Sequence, residues 1–134
     1  MLIVVAVLVV AVIVALIARR RRPDAPARTG YSIPDQLDRS DFDRPDAPWL
    51  IAVFSSATCA TCAETWDKAR HLESDNVAVQ EIEVSAHPDL HDRYAIDAVP
   101  LVVVVDHAGV RQASFLGPPK TADLWAAVAD LRAD

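Results

Sequence analysis

The chain is poor in cysteine and glycine. Its 134 residues include two cysteines and three glycines. Two cysteines are too few for a fold held together by several disulfides, the usual solution for small secreted domains with little core. The sequence contains no glycine-rich phosphate-binding loop, no nucleotide-binding motif and no Ser/His/Asp arrangement. These absences exclude a disulfide scaffold and give no support to nucleotide binding or serine-based hydrolysis.

Positive charge is also scarce outside one short cluster. The chain has 13 Lys and Arg against 19 Asp and Glu, a formal net charge of −6. Arg19, Arg20, Arg21 and Arg22 supply four of the basic residues and no acidic residue precedes Asp24, so residues 23–134 carry −10. Nucleic acids are bound through patches of Lys and Arg. We therefore expect no nucleic-acid partner, and interpret the acidity as an ordinary solvated surface.

The first 18 residues form an unbroken apolar run of Leu, Ile, Val and Ala after the initial Met. As a helix, this run would span about 27 Å, close to the hydrocarbon thickness of a bilayer. A cleaved signal peptide would need a basic segment before the apolar core, and none is present. A buried core segment is disfavoured at the extreme terminus. The sequence predicts a transmembrane anchor over residues 1–18.

The basic cluster predicts the orientation of that anchor. Arg19–Arg22 follow the apolar run directly, and Lys/Arg-rich flanks tend to remain in the cytoplasm. The prediction is a single-pass protein of the cell membrane with a cytoplasmic domain. The alternative is an uncleaved signal anchor with an extracytoplasmic domain.

Residues 19–47 are first basic and then rich in Pro and Asp. This composition is typical of a polar, partly extended linker. Within it, residues 33–47 could supply a short edge strand and a turn of helix, or could dock on the domain through Leu37 and Phe42. The predicted organisation is an anchor over residues 1–18, a linker over 19–47 and a domain over 48–134.

From residue 48 onward, apolar strand patterns alternate with helical ones. The early strands alternate with helices and imply parallel pairing, and a closing hairpin adds an antiparallel edge. The prediction is an α/β domain with a mixed sheet and helices on both faces. The predicted strands are residues 50–54, 77–84, 101–105 and 110–116, and the predicted helices are residues 59–72, 89–94 and 121–131.

The two cysteines, Cys59 and Cys62, follow the first predicted strand of the domain and open its first predicted helix. This is the expected context of a thiol redox pair. We predict that Thr58 caps the helix and that Cys59 is its first residue, near free backbone N–H groups and the positive end of the helix dipole. Both favour the thiolate, the reactive form of cysteine. The spacing lets the second thiol reach back one turn and close a disulfide.

Other uses of the two thiols remain open at this point. They could form a structural disulfide, or hold a soft ion such as Cu(I). The domain could also be a binding module that uses its cysteines little. None of the histidines stands at a metal-site spacing from the cysteines, and each is interpreted as an ordinary surface residue: His71, His87, His91 and His107.

Three features at compatible spacing resemble the thioredoxin family. They are the strand–loop–Cys-x-x-Cys–helix unit over residues 50–72, the Tyr-Ala-Ile-Asp-Ala-Val-Pro segment over 94–100, and the hairpin followed by Gly117 and a terminal helix. The resemblance covers residues 49–134 well and 33–48 weakly. It implies a thioredoxin-like fold with a mixed sheet and helices on both faces.

The resemblance also implies roles for individual residues. Cys59 is similar to the exposed attacking thiol of the family, and Cys62 to the buried resolving thiol. Pro100 resembles the cis-proline that lies beside the disulfide, which leaves the backbone of Val99 free to pair with an extended substrate. Gly117 would border the same substrate groove.

The chain departs from the family pattern around the cysteines. Thr58 replaces a tryptophan, and Ala60 and Thr61 replace Gly-Pro. Residues between the cysteines tune the reduction potential, so the resemblance alone does not give the direction of electron flow.

A second departure lies beneath the cysteines. The buried aspartate that helps deprotonate the second cysteine in the family is replaced by Val53. Glu81, on the neighbouring strand, stands where the family tends to have a lysine. We hypothesise that Glu81 takes over as proton acceptor; the ordinary alternative is a solvated glutamate at the strand edge.

The resemblance implies a thiol–disulfide oxidoreductase that acts through Cys59 and Cys62. With the anchor predicted from the apolar run, we expect a membrane-tethered enzyme, and we expect it to act as a reductase. The alternative is a thioredoxin-like binding or copper-handling module with little redox turnover. No cofactor is expected. The expected partners are protein disulfide or dithiol substrates and an unidentified reductant.

Overall fold

The computed structural model of the chain describes residues 1–20 and 31–133, and in the first range it describes the side chains of residues 1 and 3–13. The chain divides into two compact units, Met1–Gly30 and Tyr31–Asp134. Each unit is described by itself below.

The first unit contains helix α1 (Leu2–Arg20), as its run of helix-compatible apolar residues predicts. Within the part of the chain that the structure describes, no helix combines the length and the apolarity needed to cross a membrane. The transmembrane anchor predicted over residues 1–18 therefore gains no support from the structure. Two of the four arginines behind the predicted orientation, Arg21 and Arg22, lie outside the described residues, as does part of the predicted linker.

The second unit is built on a four-stranded sheet in the order β2-β1-β3-β4. β1 pairs with β2 in parallel, whereas β3 is antiparallel to both β1 and β4. The elements are β1 (Trp49–Ser55), α2 (Cys62–Arg70), β2 (Val77–Glu83), α3 (Pro88–Arg93), β3 (Leu101–Val105), β4 (Arg111–Leu116) and α4 (Thr121–Ala133), preceded by one 3-10 turn at Arg39–Asp41.

The direction of β3 corrects the expectation of parallel pairing among the early strands. A parallel strand would require the connection after β2 to carry the chain back to the opposite end of the sheet. The helix in that connection, α3, has six residues and rises only about 9 Å, against about 23 Å for the seven residues of β2. The chain therefore enters β3 from the end at which β2 finished.

Both faces of the sheet are covered, which confirms the predicted mixed α/β sheet with helices on both faces. Strand alternation sends neighbouring side chains of β1 to opposite faces. One face packs against α2 and α4 through Ile51, Val53, Ala69, Val77, Val102, Val104, Leu124 and Val128. The other packs against α3 and the segment before β1 through Leu37, Phe42, Ala47, Leu50, Ala52, Phe54, Ala78, Ile82, Leu90, Leu101, Val103 and Val105.

The segment over residues 31–48, which we name the N-terminal arm, is part of the second unit. It contains both features considered from the sequence: a single β-bridge between Gln36 and Val110, and the 3-10 turn. Leu37 is fully buried and Phe42 nearly so. Residues 33–47 thus dock on the domain, although the predicted linker included them.

The N-terminal arm contacts the hairpin between β3 and β4 at Gly109. The Leu37 N–H donates to the Gly109 carbonyl at 2.8 Å. Gly109 has a φ of +79°, and a Cβ there would overlap the carbonyl oxygen of Leu37. Glycine is required at this position both for the left-handed backbone and for the close approach of the arm.

Candidate active site

The cysteine pair lies in the connection between β1 and α2. Cys59 and Cys62 form a disulfide, with their Cα atoms 5.4 Å apart. Cys62 is 2% exposed, whereas Cys59 is partly exposed. An incoming disulfide would therefore meet the sulfur of Cys59 before that of Cys62.

The start of α2 differs from the predicted one. The helix begins at Cys62 with Thr61 as its N-cap residue, so Cys59 precedes the helix and Thr58 does not cap it. The hydroxyls of Ser56 and Thr58 lie 3.1 Å apart, and the Thr58 N–H donates to Ser56 Oγ at 3.3 Å. Such local side-chain hydrogen bonds compete with the backbone hydrogen bonds of a helix, so the helix begins later in the chain.

A turn holds the cysteines together at this helix start. The Cys59 N–H donates to the Ser56 carbonyl at 3.1 Å, and the Cys62 N–H donates to the Cys59 carbonyl at 3.4 Å. The Cys59 sulfur lies 3.9 Å from the Thr61 hydroxyl. Cys59 is therefore positioned by a turn rather than by the first turn of the helix, and it still lies just before the N-terminus of α2.

Pro100 and Gly117, to which the resemblance gives a common substrate groove, lie close together. The Val99–Pro100 peptide bond is cis, and Pro100 is buried immediately before β3. The Gly117 N–H donates to the Pro100 carbonyl at 2.9 Å. Gly117 has a φ of +85°, and a Cβ there would meet nothing within 4 Å. The surface beside Gly117 is therefore open.

Val99 lies two residues before β3. It lines a cavity that also includes Ser56, at the start of the loop that carries Cys59. Among the described residues, neither its N–H nor its carbonyl has a hydrogen-bond partner. Both groups are free to pair with another chain.

Glu81 lies on β2 opposite Val53, as the strand register requires. Because alternate residues of a strand share a face, Val53 and Glu81 belong to the face of the sheet that packs against α2 and α4. The Ser55 hydroxyl donates to Glu81 Oε1 at 2.7 Å. Ser55 is fully buried and Glu81 is partly exposed, so this bond connects the interior beneath α2 with solvent.

Ser55 was not identified from the sequence, because the predicted strand ends at residue 54. It is instead the last residue of β1. Residues 53 and 55 of one strand point to the same face of the sheet. A predicted strand longer by one residue would therefore have placed the Ser55 side chain beside Val53 on the face that α2 covers.

Glu83 is a further residue that the sequence analysis did not single out. Its carboxylate accepts bonds from the N–H groups of Ser85 at 2.9 Å, Ala86 at 3.1 Å and Ala57 at 3.2 Å. These bonds, the one from Ser85 foremost, hold the pKa of Glu83 below its ordinary value. Glu83 therefore connects the loop after β2 to the loop that carries Cys59.

The described residues contain no cluster of three or more His, Cys, Asp or Glu side chains able to hold a metal ion. Two of the histidines make bonds within the domain. His71 Nδ1 lies 2.6 Å from the Asp67 carbonyl, and His91 Nε2 lies 2.8 Å from the Ile82 carbonyl. Because a carbonyl can only accept, both ring nitrogens act as donors.

No protein-family model matches the chain, and no curated protein matches it. Solved structures do. A point mutant of a thioredoxin from Halobacterium salinarum is 21% identical, with a TM-score of 0.58 over 75% of this chain and 95% of that one. The germline-specific thioredoxin Deadhead of Drosophila melanogaster is 26% identical, with a TM-score of 0.56 over 65% and 84%.

A third solved structure, thioredoxin-2 of a malaria parasite, is 13% identical, with a TM-score of 0.54 over 62% of this chain and 82% of that one. The likeness at this identity concerns the fold. Combined with the disulfide-bonded pair at the start of α2, these neighbours identify the second unit as a thioredoxin-like domain with a Cys-x-x-Cys motif.

Proposed function

We propose that the chain is a thiol–disulfide oxidoreductase that acts through Cys59 and Cys62. The observation that carries the proposal is the unequal exposure of a disulfide-bonded pair at the N-terminus of α2, in a thioredoxin-like domain. A disulfide used only as a staple gains most by closing a long loop. This one closes a loop of two intervening residues, so redox exchange is the better use of it.

The reaction starts from the dithiol form. The Cys59 thiolate attacks one sulfur of a substrate disulfide, and the other substrate sulfur leaves as a thiolate that takes up a proton. The Cys62 thiol then loses its proton and attacks the Cys59 sulfur, which releases the second substrate thiol. The substrate gains two electrons and two protons, and the pair returns to the disulfide present in the structure.

The substrate would lie along Val99, Pro100 and Gly117. The free N–H and carbonyl of Val99 suit main-chain pairing with an extended peptide. The left-handed backbone of Gly117, with no neighbour within 4 Å of its Cβ position, leaves room for that peptide on the other side of Pro100. These features support protein disulfides as the substrate class.

The decisive experiment is reduction of insulin by the full chain in mild detergent, with dithiothreitol as electron donor. We expect turnover well above that of dithiothreitol alone, and its complete loss in Cys59→Ser. Cysteine-independent turnover, or none at all, would contradict the proposed function and favour a binding module.

We further propose that the physiological direction is reduction. A cytoplasmic domain would be kept reduced by the thiol pool of the cell. The test is the redox equilibrium of the pair with glutathione. A reduction potential near that of thioredoxins, about −270 mV, supports a reductase, whereas one near −120 mV, about the value of a strong thiol oxidant, contradicts it.

We propose that Glu81 accepts the proton of Cys62 during the second step. Support comes from its place on the α2 face of the sheet and from its bond to the buried Ser55 hydroxyl. The partial exposure of Glu81 would let the proton pass on to solvent.

Membrane attachment is proposed from the sequence. The first 18 residues carry no charged side chain, and the described large apolar side chains of α1, such as Ile3 and Val7, are exposed. Such a helix gains free energy by entering lipid. The chain should stay with membranes after alkaline extraction, and release into the supernatant would contradict attachment.

The proposed cytoplasmic side of the domain rests on Arg19–Arg22. A C-terminal fusion to a phosphatase that is active only when exported should be inactive. An active fusion would place the domain outside the cytoplasm.

A further inference from the structure

A small cavity opens between the loop that carries Cys59 and the segment before Pro100. It has a volume of about 160 Å³ and is lined by Ser56, Val84, His91 and the four residues over 96–99. This is room for about five water molecules, about as many as the heavy atoms of one long side chain beyond Cα. The walls are mostly apolar, contributed by Val84, Ile96, Ala98 and Val99.

His91 gives the cavity a polar atom on a fixed side chain. The residue is 5% exposed, and its ring packs edge-on against Phe54 with centroids 5.4 Å apart. The Nε2–H group donates to the Ile82 carbonyl at 2.8 Å. In the neutral ring, Nδ1 is therefore the acceptor.

The second ring nitrogen of His91, Nδ1, is the one left without a partner inside the described part of the domain. Among the described residues, Nδ1 of His91 has no hydrogen-bond partner, yet it is not among the fully enclosed unpaired atoms. Because His91 is almost fully buried and is one of the residues that line the cavity, the accessible Nδ1 is assigned to the cavity. An acceptor in that position is suited to an N–H donor of a bound group.

Asp97 adds a negative charge at the same place. It lines the cavity and is otherwise exposed, and it is two residues before the free backbone of Val99. No Lys or Arg lines this cavity. The charged side chain and the unpaired acceptor therefore favour the same kind of ligand, a cationic hydrogen-bond donor carried on an apolar stem.

We propose that this cavity is a specificity subsite that takes a lysine or arginine side chain of the substrate, next to the disulfide being reduced. The methylene groups would lie against Val84, Ile96 and Val99, and the cationic head would meet Asp97 and His91 Nδ1. The inference rests on the proposed function, because it assigns a substrate class to the same exchange site.

The test measures kcat/KM for disulfide-linked peptides that differ at one residue beside the cysteine, with Lys, Leu or Glu there. The full chain is used in mild detergent. We expect Lys to be preferred over Leu by about tenfold, as a partly buried charged hydrogen bond provides, and Glu to be the poorest substrate. Equal rates for the three peptides would overturn the subsite and leave the exchange reaction intact, whereas no turnover of any peptide would contradict the proposed function itself.

Two variants distinguish a preference for Lys that arises in the cavity from one that arises from the overall negative charge of the domain. Asp97→Asn should bring the Lys-to-Leu ratio close to one. Asp92→Asn removes the same charge from an exposed position on α3 outside the cavity, and should keep the ratio near ten. If both variants lower the ratio equally, long-range attraction explains the preference and the subsite is wrong.

His91→Gln tests the second contact without emptying the core. The Gln side-chain NH₂ can still donate to the Ile82 carbonyl, while the acceptor at the Nδ1 position is lost. We expect the ratio to fall about threefold, because one hydrogen bond to the cationic head is lost while Asp97 still holds it. An unchanged ratio in a folded His91→Gln variant would remove His91 from the subsite.

Discussion

The Ser55 hydroxyl donates a hydrogen bond to Glu81 Oε1 at 2.7 Å, across the parallel pair β1 and β2. If Glu81 accepts the proton of Cys62, removal of its charge should slow the release of substrate from the mixed disulfide. For Glu81→Gln we expect a decrease of about a hundredfold in that step near neutral pH, the lower end for a positioned base. Rapid-quench measurement of mixed-disulfide decay follows the step directly.

The matched control for Glu81 is Asp75→Asn, which neutralises an exposed carboxylate before β2 and should leave the decay unchanged. The pH profile should also change its shape in Glu81→Gln. An identical profile in the two variants would show that Glu81 is only a solvated strand-edge residue.

The unequal exposure of the cysteines predicts different fates for the two serine variants. In Cys62→Ser, Cys59 can still attack but nothing resolves the product, so a mixed disulfide with substrate should accumulate to nearly one per chain. In Cys59→Ser, the remaining thiol is 2% exposed, and trapping should fall by at least about tenfold. Non-reducing gels with the reduced variant and a disulfide-bonded protein substrate measure both. Equal trapping would contradict the assignment of Cys59 as the attacking thiol.

Tyr94 predicts a loss of stability at alkaline pH. Its hydroxyl donates to Asp41 Oδ2 and accepts from the Asp38 N–H. Burial, and then the bond to Asp41, raise the pKa of Tyr94 to about 12. The unfolded value is about 10, so folding favours the protonated phenol. Its contribution is complete below about pH 10 and is lost as the pH rises toward 12.

Tyr94→Phe should therefore remove this alkaline decrease and cost about 1 kcal/mol at neutral pH for the lost hydrogen bonds. Urea unfolding between about pH 7 and pH 11, a range that brackets the ordinary tyrosine pKa, measures both effects. Tyr31→Phe, at an exposed tyrosine, is the control and should retain the decrease. An unchanged pH dependence in Tyr94→Phe would assign the loss of stability to other groups.

Glu83 predicts a loop that loosens in acid. Bonds from three backbone N–H groups lower its pKa below the ordinary value of 4.5. The ionised carboxylate thus stabilises the fold above about pH 4.5, and this contribution is lost as the pH falls through the lowered pKa. In Glu83→Gln at neutral pH, we expect the Ala57 amide to exchange hydrogen about tenfold faster, as one of its charged bonds is weakened.

Hydrogen exchange followed by NMR resolves that amide from its neighbours. Glu73→Gln changes an exposed carboxylate that pairs with Arg44, so the Ala57 amide should not respond to it. Equal exchange in wild type and Glu83→Gln would mean that the carboxylate does not hold the loop.

The two left-handed glycines predict unequal costs for the same substitution. In Gly109→Ala the methyl group overlaps the Leu37 carbonyl, so the arm must move, and we expect a loss of at least about 2 kcal/mol. In Gly117→Ala the methyl group meets nothing within 4 Å, and only the backbone cost of about 1 kcal/mol applies. Thermal unfolding compares them, and equal costs would contradict the close approach of the arm at Gly109.

Local patterns predicted most of the domain. The apolar run over residues 101–105, in which four of the five residues are β-branched valines, predicted a strand, and every residue of β3 is buried. The closing hairpin after it was predicted as well. These elements are determined by side chains that are close in sequence, so local composition and hydrophobic periodicity are enough to predict them.

Features that depend on distant or competing contacts were missed. The helix start was placed at Cys59 because the Ser56–Thr58 bond, which competes with it, is not visible as a periodic pattern. The antiparallel direction of β3 depends on how far a six-residue α3 can carry the chain. The partner of Tyr94 lies 53 residues earlier, in a segment whose composition predicted a linker.

The N-terminal arm has a consequence for how the domain can be divided. Together with α3 and residues 94–99, it covers one face of the sheet, and its own contribution is made by Leu37, Phe42 and Ala47. Arg39, also in the arm, is 7% exposed and donates to the carbonyls of Asp106 and Arg44. These bonds hold its guanidinium between the arm and the domain. A fragment cut at residue 48 would keep both cysteines and all four strands, yet would present an apolar sheet face to water. The smallest piece that remains soluble by itself should therefore start near residue 31, well before the first strand.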